Sequence, residues 1–194
     1  MDILKDMPFI GGKKNGQAGS VYDCAALFAY YKVVPDKPTL EEFEKMNEEL
    51  FMPIMEKGHW VNLNNPFAMK AADFIYKTLS KKSKKHREDW PGNYTMETEK
   101  VHEGTKYYFR TCPIADMAKR LGYTHLMPAM CNPDYPMLKA LRGGLIRTST
   151  RACGDYCDFW VVGSDSSLLK AYSQTRKENG YIISEPKKDN KTDK

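Results

Sequence analysis

The sequence predicts an α+β fold, with N-terminal helices packed on a small, mainly antiparallel sheet formed by the C-terminal half. Three observations predict it. Apolar residues recur at three- and four-residue steps from Val21 to Leu79, the rhythm of helices with one buried face. After Pro91-Gly92 the pattern changes to short aromatic and β-branched runs, of which Thr105 to Cys112 (TKYYFRTC) is the clearest. Helices come first and strands later, rather than alternating as a parallel βαβ sheet requires. The chain has 194 residues, which suits one domain. A composition of 41% hydrophobic and 28% charged residues excludes global disorder. Eight Phe, twelve Tyr, three Trp and eleven Met can build a core without disulfide staples.

Residues 1–19 carry the Gly- and Lys-rich stretch Gly11 to Gly16 (GGKKNG) and read as a flexible N-terminal arm. The domain proper is expected over 20–185. Ser20 caps a helix running through Tyr31, with Asp23 in its first turn. Pro35-Asp36-Lys37-Pro38 breaks it. Thr39 opens a second helix, and Glu42 three residues later completes a capping box. Leu40, Phe43, Met46, Leu50, Phe51 and Ile54 form its apolar stripe, and Pro53 should kink or end it. A loop over Gly58 to Asn65 leads to a third helix, Pro66 to Ser83. Phe67, Ala71, Phe74, Ile75, Thr78 and Leu79 share one of its faces, and lysines gather at its C-terminal end, where they suit the helix dipole.

In the second half, Thr105 to Cys112 is a strand, and Pro113 starts a short helix closed by Gly122. His125 to Cys131 reads as a short strand or extended loop. Pro133 to Leu141 is a short helix, Leu145 to Thr150 a strand, Arg151 to Tyr156 a turn and Cys157 to Val162 a second strand. Ser164 to Lys177 is a helix or a loop-rich return, and Tyr181 to Ser184 a last strand. Residues 186–194 are almost wholly charged or polar and are expected to be a disordered basic tail.

Charge narrows the partners. Thirty basic and twenty-five acidic residues leave a net charge of +5. Much of the excess sits in Lys77 to Arg87 and Lys187 to Lys194, so the body is near neutral. A nucleic-acid binder carries a larger and better organised basic footprint, so no nucleic acid is expected. The apolar runs, such as Ala25 to Ala29, fall far short of the roughly 18 to 20 residues of a membrane span. Met1 to Asp6 lacks the basic region and apolar run of a signal peptide. A cytoplasmic protein with no membrane partner is expected, and homo-oligomerisation is left open.

The cysteines number five, an odd count, at Cys24, Cys112, Cys131, Cys153 and Cys157, which argues against a disulfide framework. The spacing C-x18-C-x21-C-x3-C of the last four does not fit a zinc site. His59, His86, His102 and His125 form no H-x3-H or H-E-x-x-H pattern. Neither a metal nor a cofactor is therefore expected.

Chemistry concentrates between Arg110 and Trp160. Cys157 begins a strand, where a neighbouring cation would lower its pKa and raise its thiolate fraction; the competing reading is one more buried cysteine. Cys112 and Cys131 read more readily as packing. Asp134 either caps the helix after Pro133 or serves as an acid, a base or a holder of a ligand cation. Asp158 and Arg147 sit mid-strand, where charged residues need a partner or a function. They pair with each other, or Arg147 clamps a substrate carboxylate.

Register decides among these. If Thr150 faces Cys157 across the turn, Arg147 shares a face with Asp158, and Cys157 lies with Thr148 and Thr150. A slip of one residue instead puts Cys157 beside Arg147. The sequence leaves both open.

Three stretches carry a family resemblance: CPIA from Cys112, MPAMCNPD from Met127 to Asp134, and LIRTSTRACGDYCDF from Leu145 to Phe159. They resemble the L-2-amino-thiazoline-4-carboxylic acid hydrolase family, whose C-terminal signature reads R-T-x-T-L-x-x-G-x-x-C-D-F. Here Arg151 stands where that signature has Leu, a departure within the turn. The resemblance implies a hydrolase that opens a small cyclic amidine, a C–N bond other than a peptide bond, with a small molecule as substrate. On that reading Cys157 is the nucleophile, and Asp134 and Asp158 act in acid–base or amidinium-holding roles. Arg147 binds the carboxylate. Thr148, Thr150, Cys112 and Cys131 line the pocket, and Gly154 permits the turn. The competing class is a non-catalytic ligand- or metal-binding sensor domain on the same fold.

Overall fold

Capping chemistry sets where the second and third helices begin. The first starts at Ala18 without a side-chain cap, and Ser20, expected to cap it, lies inside it and donates from Oγ to the Gln17 carbonyl at 3.0 Å. In a computed structural model that describes residues 2–58 and 60–187, the first three helices are α1 (Ala18–Val33), α2 (Leu40–Lys57) and α3 (Pro66–Lys85). The capping box at α2 is formed: Thr39 N–H donates to Glu42 Oε2 at 2.8 Å, and Glu42 N–H donates to Thr39 Oγ1 at 3.3 Å. α3 is capped by Asn65, whose side chain accepts from Phe67 N–H at 2.8 Å, with Pro66 preset at the first helical position. Pro53 lies inside α2, which runs on to Lys57.

Four strands form one antiparallel sheet: β1 (Thr95–Glu99), β2 (Thr105–Thr111), β3 (Gly143–Ile146) and β4 (Cys157–Gly163), in the order β1-β2-β4-β3. A separate hairpin pairs β5 (Tyr172–Arg176) with β6 (Ile182–Pro186). Between β2 and β3 the chain folds as α4 (Pro113–Leu121), α5 (Met127–Cys131) and α6 (Asp134–Ala140), and the single turn α7 (Ser167–Lys170) precedes β5. The turn between β1 and β2 requires glycine. Gly104 has φ +75°, and a Cβ there would stand 2.1 Å from the Val161 carbonyl oxygen.

Several elements differ from the sequence expectation. Thr124 to Cys131 is a 3-10 turn running into α5 rather than a strand, because Pro128 sits in a first helical turn, where its missing N–H is not needed. β3 stops at Ile146, because beyond it backbone donors turn to side chains. Arg147 N–H donates to Ser184 Oγ at 3.1 Å, and the next two N–H groups go to Asp158. β1 reads weakly as a strand in the sequence because TMETE is mostly polar.

The apolar face assigned to α3 is largely turned outward, with Phe67 80%, Phe74 71% and Ile75 55% exposed. The buried face instead carries Ser80 and Ser83. Ser80 Oγ donates to Met96 C=O at 2.8 Å, and Met96 N–H donates to Ser83 Oγ at 3.1 Å. β1 is an edge strand, and these hydroxyls satisfy its outer backbone groups. Hydrophobic periodicity cannot reveal a helix face that is polar because it covers a strand edge.

Residues 2–19, read as an arm, place Ile3 and Ile10 in the core, and buried Asn15 donates from Nδ2 to the Ile10 carbonyl at 2.6 Å. Residues 188–194 of the expected tail lie outside the described residues, as does His59. Pro186 ends β6, and Lys187 N–H donates to Ala171 C=O at 2.8 Å.

Two hydrophobic clusters result. One joins α1, α4 and α5, with Phe28, Met117 and Met127 at its centre; the other lies on one sheet face, with Tyr107, Leu145 and Phe159. Side chains from both clusters wall a single cavity.

Candidate functional site

The pleat of the sheet selects which side chains reach that cavity. β2 and β4 pair Phe109 with Cys157 and Tyr107 with Phe159, and these four residues share the inner face. β3 pairs Leu145 with Val161 and Ile146 with Trp160. Continued by one residue, this register sets Arg147 opposite Phe159, diagonal to Cys157 and on the same face. Of the two registers open in the sequence, the one formed therefore puts Cys157 on the face of Arg147. Asp158 pairs with Tyr108 on the other face.

The cavity has a volume of about 390 Å³. Four of the five thiols border it: Cys24 from α1, Cys112 before α4, Cys131 from α5 and Cys157 from β4. Asp134, at the start of α6, supplies the carboxylate. Asp134 does not cap that helix. Its Oδ2 accepts from Arg147 Nη1 at 2.7 Å, while Oδ1 makes no hydrogen bond to a described residue.

Arg147 stands behind the wall and does not line the cavity. It is 0% exposed, donates from Nη2 to the Cys131 carbonyl at 2.9 Å, and lies 4.9 Å from the Tyr135 ring centroid and 5.5 Å from that of Phe159. Its Nε–H has no partner among the described residues. The guanidinium is thus spent on orienting Asp134 and the α5–α6 junction, and carboxylate clamping, the role expected of it, finds no open face here.

Burial dominates the electrostatics. It pushes the Cys157 thiol up to about 12 and Cys112 up to about 11, and raises Cys131 and Cys24 well above the ordinary thiol value too. Arg147 pulls Cys157 down, as a neighbouring cation should, but the loss of solvent outweighs it. Asp134 is likewise raised above the ordinary aspartate value by desolvation, with Arg147 opposing. The resting cavity therefore holds protonated thiols at neutral pH, beside an acid whose carboxyl is anchored by a buried guanidinium.

Asp158 has a different setting. Oδ1 accepts from Thr148 N–H at 2.9 Å and Ser149 N–H at 2.7 Å, while Oδ2 accepts from Thr148 Oγ1 at 2.9 Å. It holds the chain where β3 ends and does not line the cavity. Thr148 is thereby engaged with Asp158. Buried Thr150 pairs its hydroxyl with Cys153 Sγ at 3.0 Å. Gly154 has an ordinary backbone conformation, and a Cβ there would come within 2.8 Å of Ser149 Oγ. These four residues shape the turn outside the cavity wall. Asp158→Ala is expected to lower stability by about 2 kcal/mol, since the partly exposed Thr148 and Ser149 N–H groups lose a charged acceptor. Urea denaturation reads the loss, and ligand binding by the folded fraction should be unchanged.

The sequence reading missed Asn47, Cys24 and Arg151 as wall residues. Asn47 did leave a signal. It interrupts the apolar stripe of α2, four residues after Phe43 and four before Phe51. It is 1% exposed, its Nδ2 donates to the Ala129 carbonyl at 2.8 Å, and its Oδ1 has no partner among the described residues. An unpaired buried acceptor on a cavity wall suits a ligand bearing N–H groups. Among the described residues no three His, Cys, Asp or Glu side chains stand close enough to share a metal ion. No helix among them is long and apolar enough to cross a membrane.

The family model described as L-2-amino-thiazoline-4-carboxylic acid hydrolase matches residues 20–161, well over half of the chain. The matched span runs from within α1 through most of β4, and so holds almost every wall residue of the cavity. No curated protein and no solved structure matches the chain.

Proposed function

We propose, since the chain belongs to the L-2-amino-thiazoline-4-carboxylic acid hydrolase family, that it opens the ring of a small cyclic amidine of the 2-aminothiazoline-4-carboxylate type inside this cavity. The observation that carries the reading is Asp134, with one carboxylate oxygen held by a buried guanidinium and the other without a partner among the described residues, on the wall shared with Cys157. An amidinium needs an anion beside it and acceptors for its N–H groups. Asp134 Oδ1 and the orphan Asn47 Oδ1 offer both.

The reaction consumes one water. Cys157 Sγ bonds to the carbon between ring sulfur and ring nitrogen, and the thiol proton passes to Asp134. The ring C–N bond breaks, and the nitrogen leaves with the proton from Asp134. Water then adds to the same carbon, the bond to Cys157 breaks, and the thiol recovers a proton, leaving an S-carbamoyl-cysteine with its α-amine free. The resting thiol is neutral, so attack depends on the ligand's own cationic charge, added to that of Arg147, to favour the thiolate as it forms. Oriented in a dry site, the ligand supplies the field that the empty cavity lacks.

The five cysteines are all free, which supports a reducing, cytoplasmic setting. The test is turnover of 2-aminothiazoline-4-carboxylate, followed by loss of the ring and by intact mass for a covalent adduct. Cys157→Ser should reduce kcat/KM by at least about a hundredfold and abolish the adduct. Full turnover in that variant would make Cys157 a packing residue and leave water, activated by Asp134, as nucleophile. Tight binding without turnover by the unaltered protein would favour a sensor.

A further inference from the structure

We propose that Arg151 forms an anionic subsite in the cavity, and that it, rather than Arg147, receives the carboxylate of the ligand; this rests on the amidine reading above. Among the described residues that wall the cavity, Arg151 is the one cationic side chain. Arg147 has no exposed surface and its Nη groups already meet Asp134 and the Cys131 carbonyl.

Arg151 is placed differently. It lies in the turn between β3 and β4 and is partly exposed. Its Nε donates to the Arg110 carbonyl at 3.1 Å and its Nη1 to the Gly154 carbonyl at 3.2 Å. Those two backbone bonds fix the plane of the guanidinium. Among the described residues no acceptor meets Nη2 or the second Nη1 hydrogen, donors of the kind that take a carboxylate. No acidic side chain pairs with Arg151 among the described residues, whereas Arg147, Arg110 and Arg176 each have one.

Charge balance points the same way. Arg147 and Asp134 cancel, so Arg151 is the surplus positive charge of the cavity wall, and an anionic group on the ligand neutralises it. The two poles then divide the ligand. Asp134 and Asn47 take the amidine nitrogens, Arg151 takes the acid, and the walls between them are thiols and aromatic rings. A wall with one fixed cation discriminates an acid from its decarboxylated analogue, because without the acid the guanidinium loses an anion and gains nothing in exchange.

The experiment compares two ligands, 2-aminothiazoline-4-carboxylate and 2-aminothiazoline without the carboxylate, on the full chain and on Arg151→Leu and Arg151→Lys. Leucine also restores the residue that the family signature carries there, so the turn should tolerate it, and thermal denaturation verifies folding. The unaltered protein should prefer the acid, and Arg151→Leu should lower that preference about ten- to a hundredfold, the range of one charge-assisted hydrogen-bonded pair. Arg151→Lys should keep part of it, since lysine retains the charge without the fork. An unchanged preference in a folded Arg151→Leu that still opens the ring overturns the subsite and leaves the amidine reading standing. Failure of the unaltered protein to bind or convert either ligand overturns both.

Discussion

Asp134→Ala is expected to destabilise the protein more than Arg147→Met, although the aspartate is the more exposed member of the pair. The side chains are 32% and 0% exposed respectively. Removing the carboxylate strands a guanidinium that no water reaches, with Nε already unpaired and Nη1 deprived of its acceptor. Leaving an uncompensated charge in that position costs about 3–5 kcal/mol. Removing the cation is gentler. Methionine fills the space between Tyr135 and Phe159, and Asp134 can turn to the cavity or take up a proton, which burial already favours. About half the loss is expected there, and the double variant should recover part of the Asp134→Ala deficit.

Acid distinguishes the two cases further. Asp134 has a raised pKa in the folded state, so the folded protein binds that proton more tightly than the unfolded chain does. Its contribution is fully present below the unfolded pKa and is lost as pH rises through the folded one. Once Asp134 is protonated the ion pair is gone in the unaltered protein as well, so the deficit of Arg147→Met should shrink as pH falls through that raised value. Urea denaturation across the acid range reads both effects. A larger loss for Arg147→Met at neutral pH would mean that the pair is held together by Coulomb attraction rather than by the need to cover a buried cation.

How far the site was legible depended on the kind of signal. Capping and punctuation located the helices well: Thr39 with Glu42, Pro113 and Gly122 all mark real ends. The strands β3 and β4 were visible, but of the residues expected at one site Cys112, Cys131, Asp134 and Cys157 border the cavity, while Arg147, Asp158, Thr148, Thr150 and Gly154 lie outside its wall. Parity was not visible, because a hairpin turn of unknown shape can deliver either register and a shift of one residue exchanges the faces. That single ambiguity is why Asp158 and Asp134 looked equivalent. In the fold one carboxylate holds backbone N–H groups at a strand end and the other meets the cavity. Arg147 looked like a clamp because sequence cannot tell a buried guanidinium from an accessible one. Arg151, four residues on, drew attention only as a departure from the signature.

Asp134→Asn separates the chemistry from this structural role. Asparagine Oδ1 can still accept from Arg147 Nη1, so the geometry of the α5–α6 junction persists better than in Asp134→Ala. The basicity is gone, and with it the acceptor for the thiol proton and the anion opposite the amidinium. A fall in kcat/KM of about 10²- to 10⁴-fold is expected. The pH profile provides the sharper test. A base must be ionised, so kcat/KM of the unaltered protein should fall on the acid side, with an apparent pKa above the ordinary aspartate value of 3.8. No alkaline rise should follow in the neutral range, since the Cys157 thiol titrates only at about 12 and Cys112 at about 11. In Asp134→Asn the acid limb should vanish along with the rate. If that variant keeps the limb, another group is the base. If the unaltered protein instead gains activity steeply between about pH 7 and 9, a pre-formed thiolate carries the reaction, and the neutral resting cavity is not its working state.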